Sequence, residues 1–188
     1  GATRGAIGPN LDTPSRATVF GGTDTSFAAM KSMEQGPDTF SIEAWFKTTS
    51  TSGGKIVGFG NAATGNSTSY DRHVYLDGSG RVTFGVHPGG VRTVESGVGY
   101  NGGQWHHVVA TLGSDGMVLY LDGRRVGARA DTTAGQDYTG YWRVGGDNIN
   151  GWPNVGSHYL AGTISDVAIY PTALSRTQVD AHWTESGR

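Results

Sequence analysis

Apolar and polar residues alternate along much of this chain, the period-two signature of strands with one face in a core. Phe40, Ile42, Ala44 and Phe46 fall on one face of such a strand, and Ser41, Glu43, Trp45 and Lys47 fall on the other. Val74 and Leu76 lead into Asp77-Gly78-Ser79-Gly80, and Val82, Phe84 and Val86 leave it. That pattern predicts a hairpin whose turn residues accept positive φ. Val108 and Ala110 meet Val118 and Tyr120 across Gly113-Ser114-Asp115-Gly116, and Asp122-Gly123 turns a third hairpin into Arg125-Val126. Ile164, Val167 and Ile169 mark a late strand in which Ser165, Asp166 and Ala168 break strict alternation. No repeat of solenoid period is present.

One helix is predicted near the C-terminus. Ser175-Arg176-Thr177-Gln178 forms a capping box, in which the Ser175 hydroxyl accepts from the Gln178 amide while the Gln178 side chain reaches back. Leu174 and Val179 supply the hydrophobic staple. Val179 and Trp183, four positions apart, give the helix a small apolar face for docking. Pro171 separates it from the preceding strand. The pattern therefore predicts an all-β chain, a meander of hairpins closing as a two-sheet antiparallel β-sandwich with one short C-terminal helix.

Composition agrees. Of 188 residues, 36% are hydrophobic and only 16% charged, against roughly 25% in an ordinary globular domain, while 32 are glycine. This is the balance of one turn-rich β domain with enough chain for a real core. A formal net charge of -2 with no basic run gives no reason to expect a nucleic-acid partner or an acidic membrane. No apolar window is long enough to span a bilayer. The absence of cysteine excludes disulfides, thiolate metal sites and thiol chemistry, and is neutral about export. The leading residues 1–16 are read as an extension, without a visible signal peptide, ahead of a domain over residues 17–185.

Three segments carry a resemblance. Phe40 to Lys47 is the first. Trp105-His106-His107-Val108-Val109-Ala110-Thr111, leading to Leu119-Tyr120-Leu121-Asp122-Gly123, is the second. Leu160 to Pro171, followed by Ala173-Leu174-Ser175 and Gln178, is the third. With Phe20-Gly21-Gly22 near the start, they resemble the laminin-G-like branch of the concanavalin A-like lectin/glucanase jelly rolls, in order, over roughly residues 17 to 185. The resemblance implies a jelly-roll sandwich that binds sugars, mediates calcium-dependent adhesion or acts as a spacer, in a secreted or cell-surface protein. It also implies a calcium ion tying the first strand to the last. Asp166 matches the first acid of the closing acidic pair, Asp24 follows the opening motif, and carbonyls near Gly22 complete an oxygen shell. Two departures remove oxygens from that set: Gly21 stands where an Asp is usual, and Val167 where a Glu is.

The chemistry-bearing residues fall into two groups. Residues 147–154 hold Asp147, Asn148, Asn150 and Trp152 in a Gly-broken loop. An indole beside a carboxylate and amides suits a sugar, with Trp152 stacking on a pyranose and the others binding its hydroxyls. The same residues also suit a turn whose Trp152-Pro153 packs over the sandwich edge. The second group, Tyr70-Asp71-Arg72-His73, opens a strand. Arg72 has a fork for a carboxylate or vicinal hydroxyls, and an internal pair with Asp71 or Asp147 is the alternative. Strict alternation sets Tyr70 and Arg72 on one face and Asp71 and His73 on the other, so all four serve one ligand only if the backbone bends. The adjacent His106 and His107 point to opposite faces and cannot chelate one ion.

Catalysis is not expected. Glycoside hydrolysis needs two carboxylates about 5–9.5 Å apart, and Glu43 has no acidic residue within four positions. No nucleophile elbow occurs. The expectation is a non-catalytic, lectin-like module of an exported multidomain protein, with a glycan as its partner. The alternatives are a calcium-dependent protein-interaction or adhesion module and a structural spacer.

Overall fold

The computed structural model describes residues 1–11 and 15–188. The described residues fold as two antiparallel sheets of seven strands each, followed by one helix. The strands in chain order are β1 (Thr3–Ile7), β2 (Arg16–Gly21), β3 (Ala28–Ala29), β4 (Glu34–Gln35), β5 (Phe40–Lys47), β6 (Gly54–Gly60), β7 (Tyr70–Leu76) and β8 (Val82–Val86). After these come β9 (Arg92–Glu95), β10 (His106–Gly113), β11 (Gly116–Leu121), β12 (Arg124–Arg129), β13 (Thr139–Val144), β14 (Ala161–Tyr170) and the helix α1 (Arg176–Glu185). The first sheet runs β1-β2-β14-β5-β10-β11-β12. The second runs β3-β13-β6-β7-β8-β9, with β4 also on β13.

The inner faces meet as the period-two pattern predicts. Phe40, Ile42, Ala44 and Phe46 of β5 are fully buried against Val57, Phe59, Val74, Phe84 and Trp142 of the second sheet. All three hairpins form. The β11–β12 turn is tight, pairing Leu121 with Arg124, and both Asp122 and Gly123 adopt positive φ, as a two-residue turn with the correct twist requires. The Asp122 carboxylate then accepts from the His107 amide at 2.9 Å, fixing the hairpin base. Thr3–Ile7, within the segment read as an extension, pairs with β2 at the edge of the first sheet.

Both outer faces are covered, which the alternation does not reveal. Over the first sheet lies α1. Its capping box is present, and Leu174 and Val179 pack with Val109 and Tyr120. Trp183 stacks on Trp45 at 5.4 Å. Beneath the helix the Glu43 carboxylate accepts from His107 Nε2 at 2.7 Å, the Tyr170 hydroxyl at 2.6 Å and His182 Nδ1 at 3.1 Å. Burial raises the pKa of Glu43, but the bonds from His107 and Tyr170 outweigh it and hold the carboxyl below its ordinary range.

Over the second sheet lies the loop 146–160. Its Ile149 and Trp152 pack on Tyr75 of β7. The Trp152 ring occupies the space a Cβ would need at Gly85, so only glycine at that position lets the loop close on β8. Broken alternation in β14 has a physical counterpart too: the register shifts between Ser165 and Ala168, and Asp166 sits in the left-handed region at φ 48°.

Candidate functional site

The sequence-predicted residues converge on one end of the second sheet, but at two depths. Between Phe59 and Val57 of β6, the partner strand advances from Asp71 to Val74, so β7 carries one residue more than β6 there. Arg72 absorbs the bulge with φ 50°. The bend that would let the four residues of this segment work together is therefore real, yet it turns Arg72 inward. Tyr70 and His73 now lie roughly parallel, 6.0 Å apart, on the outer face.

Asp71, Arg72, His73 and Asp147 expose nothing to solvent. Arg72 Nη1 donates to Asp71 Oδ1 at 2.6 Å and to the Gln136 carbonyl at 3.0 Å, and Nε donates to the Pro37 carbonyl at 2.9 Å. A Cβ at Gly36 or Gly135 would come within 2.9 or 2.6 Å of the guanidinium, so these two glycines form its cradle. Asp71 Oδ2 accepts from the amides of His87 at 3.1 Å and Gln136 at 2.7 Å. The alternative of an internal Asp71–Arg72 pair is what the fold contains, and its effect is to pin three separate segments.

Asp147 does the same for its own loop. Its Oδ1 accepts from the amides of Ser67 at 2.9 Å and Asn148 at 2.7 Å, and it lies 3.4 Å from Arg143 Nη1. Lys55 Nζ lies 3.7 Å from Asp147 Oδ2 and donates to the Asn148 carbonyl at 3.0 Å. Burial lowers the Lys55 pKa to about 7 in spite of the opposing pull of Asp147. His73, also buried and close to the Lys55 charge, is held well below its ordinary value and stays neutral. The Asn148 side chain is committed as well, donating to the Ser67 carbonyl at 2.9 Å and accepting from the Asn150 amide at 2.9 Å.

Trp152 is only 6% exposed. Its ring meets His73 edge-on at 4.6 Å and lies over Gly85. The indole face expected to stack on a sugar is thus turned onto the sheet, as in the packing alternative. Three predicted residues, Tyr70, Asn150 and Trp152, do share an open depression of about 330 Å³, where His87, Val91 and Gln136 join them. The Tyr70 hydroxyl donates to the Asn150 carbonyl at 3.0 Å, so it bridges the two segments at the rim. The side-chain amides of Asn150 and Gln136 have no hydrogen-bond partner among the described residues.

Sequence reasoning missed His87, Val91 and Gln136. His87 follows a strand and precedes Pro88-Gly89-Gly90, a position at a strand end that could have been noticed. Gln136 lies in a stretch without periodicity and carries no signal.

The residues expected to hold calcium are spread along one strand ladder. Gly21 pairs with Ala161 and Thr18 with Ile164, so Gly22 lies at one end of the β2–β14 ladder and Asp166 toward the other. Five strand positions separate Ala161 from Asp166, a distance of about 16 Å at 3.3 Å per residue. Gly22 is thus set well apart from Asp166 along the strand. No group of three or more His, Asp or Glu side chains suited to a metal occurs among the described residues. His106 and His107 diverge as expected, His106 to Asp122 at 2.9 Å and His107 to Glu43.

Residues 20–180 match the laminin G family described as the concanavalin A-like lectin/glucanases superfamily. The chain belongs to this family. A search of curated protein sequences finds no match. Among solved structures, this laminin G-like domain is similar to a heptameric SAP-like pentraxin from Limulus polyphemus, with TM-score 0.64 and 19% identity over 93% of this chain and 82% of that one. It is also similar to domains LG4-5 of the mouse laminin α1 chain, with TM-score 0.62 and 17% identity, covering 86% of this chain and 43% of that one. A third likeness is to the CBM40 of Ruminococcus gnavus IT-sialidase bound to α2,3-sialyllactose, with TM-score 0.59 and 18% identity over 77% of this chain and 81% of that one. Identities this low carry the fold alone. No helix among the described residues is long and apolar enough to cross a membrane.

Proposed function

We propose that this laminin G-like domain is a non-catalytic glycan-binding module of a secreted or cell-surface protein. It would raise the local concentration of a polysaccharide for neighbouring domains of a longer chain. The observation that carries this reading is the depression beside Tyr70, where the side-chain amides of Asn150 and Gln136 stand free on a rigid frame. Each amide offers donors and an acceptor in one plane, which suits a pair of sugar hydroxyls, and Tyr70 offers part of a flat face. Asp71, Arg72 and Asp147 set the positions of those groups without touching the ligand, because the loops they pin carry Gln136, His87 and Asn150.

A non-catalytic role accords with the acids. The fold brings Glu43, Asp166 and Glu185 around one depression of about 470 Å³ beside α1, a grouping that chain spacing did not foretell. A glycosidase acid needs a raised pKa, and Glu43 has a lowered one, with its oxygens occupied by His107, Tyr170 and His182.

Asn150→Ala and Gln136→Ala test the reading, since neither side chain supports the fold. Both variants are expected to lose retention on a matching polysaccharide while melting as the parent does. Retention unchanged in both would remove the depression as the site.

A protein-interaction role is the second reading, favoured by an apolar crevice of about 420 Å³ between the sheets, lined by Met30, Val57, Trp142, Val167 and Ile169. Met30 in its wall is 46% exposed. A broad glycan array separates the two readings: retention supports the depression, and its absence on every glycan supports the crevice.

A further inference from the structure

We infer that the depression selects neutral sugars and discriminates against sialylated and sulfated ones. This rests on the glycan-binding reading above and adds the class of ligand. Recognition of a carboxylate or sulfate at a site open to water depends on a guanidinium or ammonium with N–H groups to give. The local sequence offers several cations, and the fold withdraws Arg72, Lys55, Arg143 and His73. Arg72 directs its nitrogens to Asp71, Pro37, Gln136 and Asp38 and has no exposed surface. Lys55 and Arg143 lie sealed with Asp147, also with no exposed surface. His73 is buried and neutral.

What faces the ligand is Tyr70, Gln136, Asn150, Val91, the edge of Trp152 and the imidazole of His87. Among the described residues, no lysine, arginine, aspartate or glutamate lines the depression. Behind its wall Asp71 and Arg72 cancel as an ion pair, and the neighbouring Arg92, outside the lining, turns its guanidinium to the Val91 carbonyl at 3.1 Å. An acidic sugar entering here would exchange hydration for amides that bind hydroxyls equally well, with no lining guanidinium or ammonium to offset the loss. A neutral sugar loses nothing comparable.

The test is an array carrying each glycan in neutral, sialylated and sulfated form at neutral pH, followed by calorimetric titration of the best pair at low and high salt. The neutral member is expected to bind at least as tightly, and its affinity to change by less than about twofold with salt. Gln136→Arg, which places a free guanidinium in the wall, is expected to shift preference toward the sialylated member. Tenfold tighter binding of the sialylated or sulfated form by the parent protein would overturn the inference while leaving the glycan site standing, as would a Gln136→Arg variant with unchanged preference. Retention of no glycan at all would remove the site and the inference together.

Discussion

Asp71 and Arg72 are neighbours in the chain, yet their side chains meet at 2.6 Å with neither exposed. Adjacent strand residues ordinarily point to opposite faces. The left-handed φ of 50° at Arg72 removes that obstacle, turning the guanidinium back toward Asp71 between Gly36 and Gly135. The pair then anchors three segments through the Pro37 carbonyl, the Gln136 amide and carbonyl, and the His87 amide.

Arg72→Ala is therefore expected to destabilise the domain by about 3–5 kcal/mol, because it leaves Asp71 charged, buried and unpaired. Arg72→Lys should recover little of this loss, since an ammonium cannot reach Pro37, Asp71 and Gln136 at once. Urea unfolding of the two variants measures both effects. Near-parent stability in Arg72→Ala would show that the pair does not anchor the rim.

Trp152 looked like the stacking residue from its loop, but its ring fills the space above Gly85. Trp152→Ala should cost about 3–5 kcal/mol as a cavity in the cluster with Tyr75 and Ile149. Any loss of ligand retention in that variant would follow from the loop lifting. Thermal unfolding run beside retention assays distinguishes this from loss of a contact: a melting temperature unchanged from the parent would return Trp152 to the ligand side.

How much of this was legible depends on what each residue reports locally. Phe40 to Lys47, the hairpins at Asp77-Gly78 and Asp122-Gly123, and the Ser175 capping box each carry their own pattern, and each formed. Strand β6 did not announce itself, because Gly54, Gly58 and Gly60 interrupt its apolar run and Lys55 reads as exposed. Every residue of it is buried. Gly58 is small because His73 would meet a Cβ there at 2.6 Å, a reason that exists only after β7 is in place. The site behaved likewise. Tyr70, Asn150 and Trp152, singled out from the sequence, meet at one depression, whereas the burial of Asp71, Arg72, His73 and Asp147 depends on a bulge and on a loop returning over the sheet. Neither leaves a local mark.

Lys55 should give the domain an alkaline rise in stability. Its folded pKa of about 7 lies below the ordinary lysine value of 10.5, so between those limits the unfolded chain binds more protons than the folded one. Stability then increases with pH through that window, by up to about 1.4 kcal/mol per unit, and levels off above the unfolded value. Lys55→Met should flatten the profile. Denaturant midpoints measured across the window decide it, and a parent profile already flat would contradict neutral burial of Lys55.

Glu43 has the opposite sign. Its folded pKa is depressed, so its contribution is present above the unfolded carboxylate value and is lost as the pH falls through the folded one. Because His107, Tyr170 and His182 all meet this carboxylate beneath α1, acid should loosen the helix first. Fluorescence of the Trp45–Trp183 stack reports that step, and Glu43→Gln should remove its pH dependence.

Calcium provides the last test, and strand register sets the expected outcome. The ladder between β2 and β14 pairs Gly21 with Ala161 and Thr18 with Ile164, which carries Asp166 away from Gly22 along the strand. An ion held by Asp24 or Gly22 would thus lack the Asp166 carboxylate, and an ion at Asp166 would lack both of the others. Calcium needs six to eight oxygens to bind well, and Asp166 Oδ2 already accepts from the Ser165 hydroxyl at 2.9 Å. A chelator is accordingly expected to leave the melting temperature where it is, and added calcium to raise it by less than a degree or so. A rise of several degrees that Asp166→Asn abolishes would show that β14 holds an ion through oxygens other than those of Asp24 and Gly22.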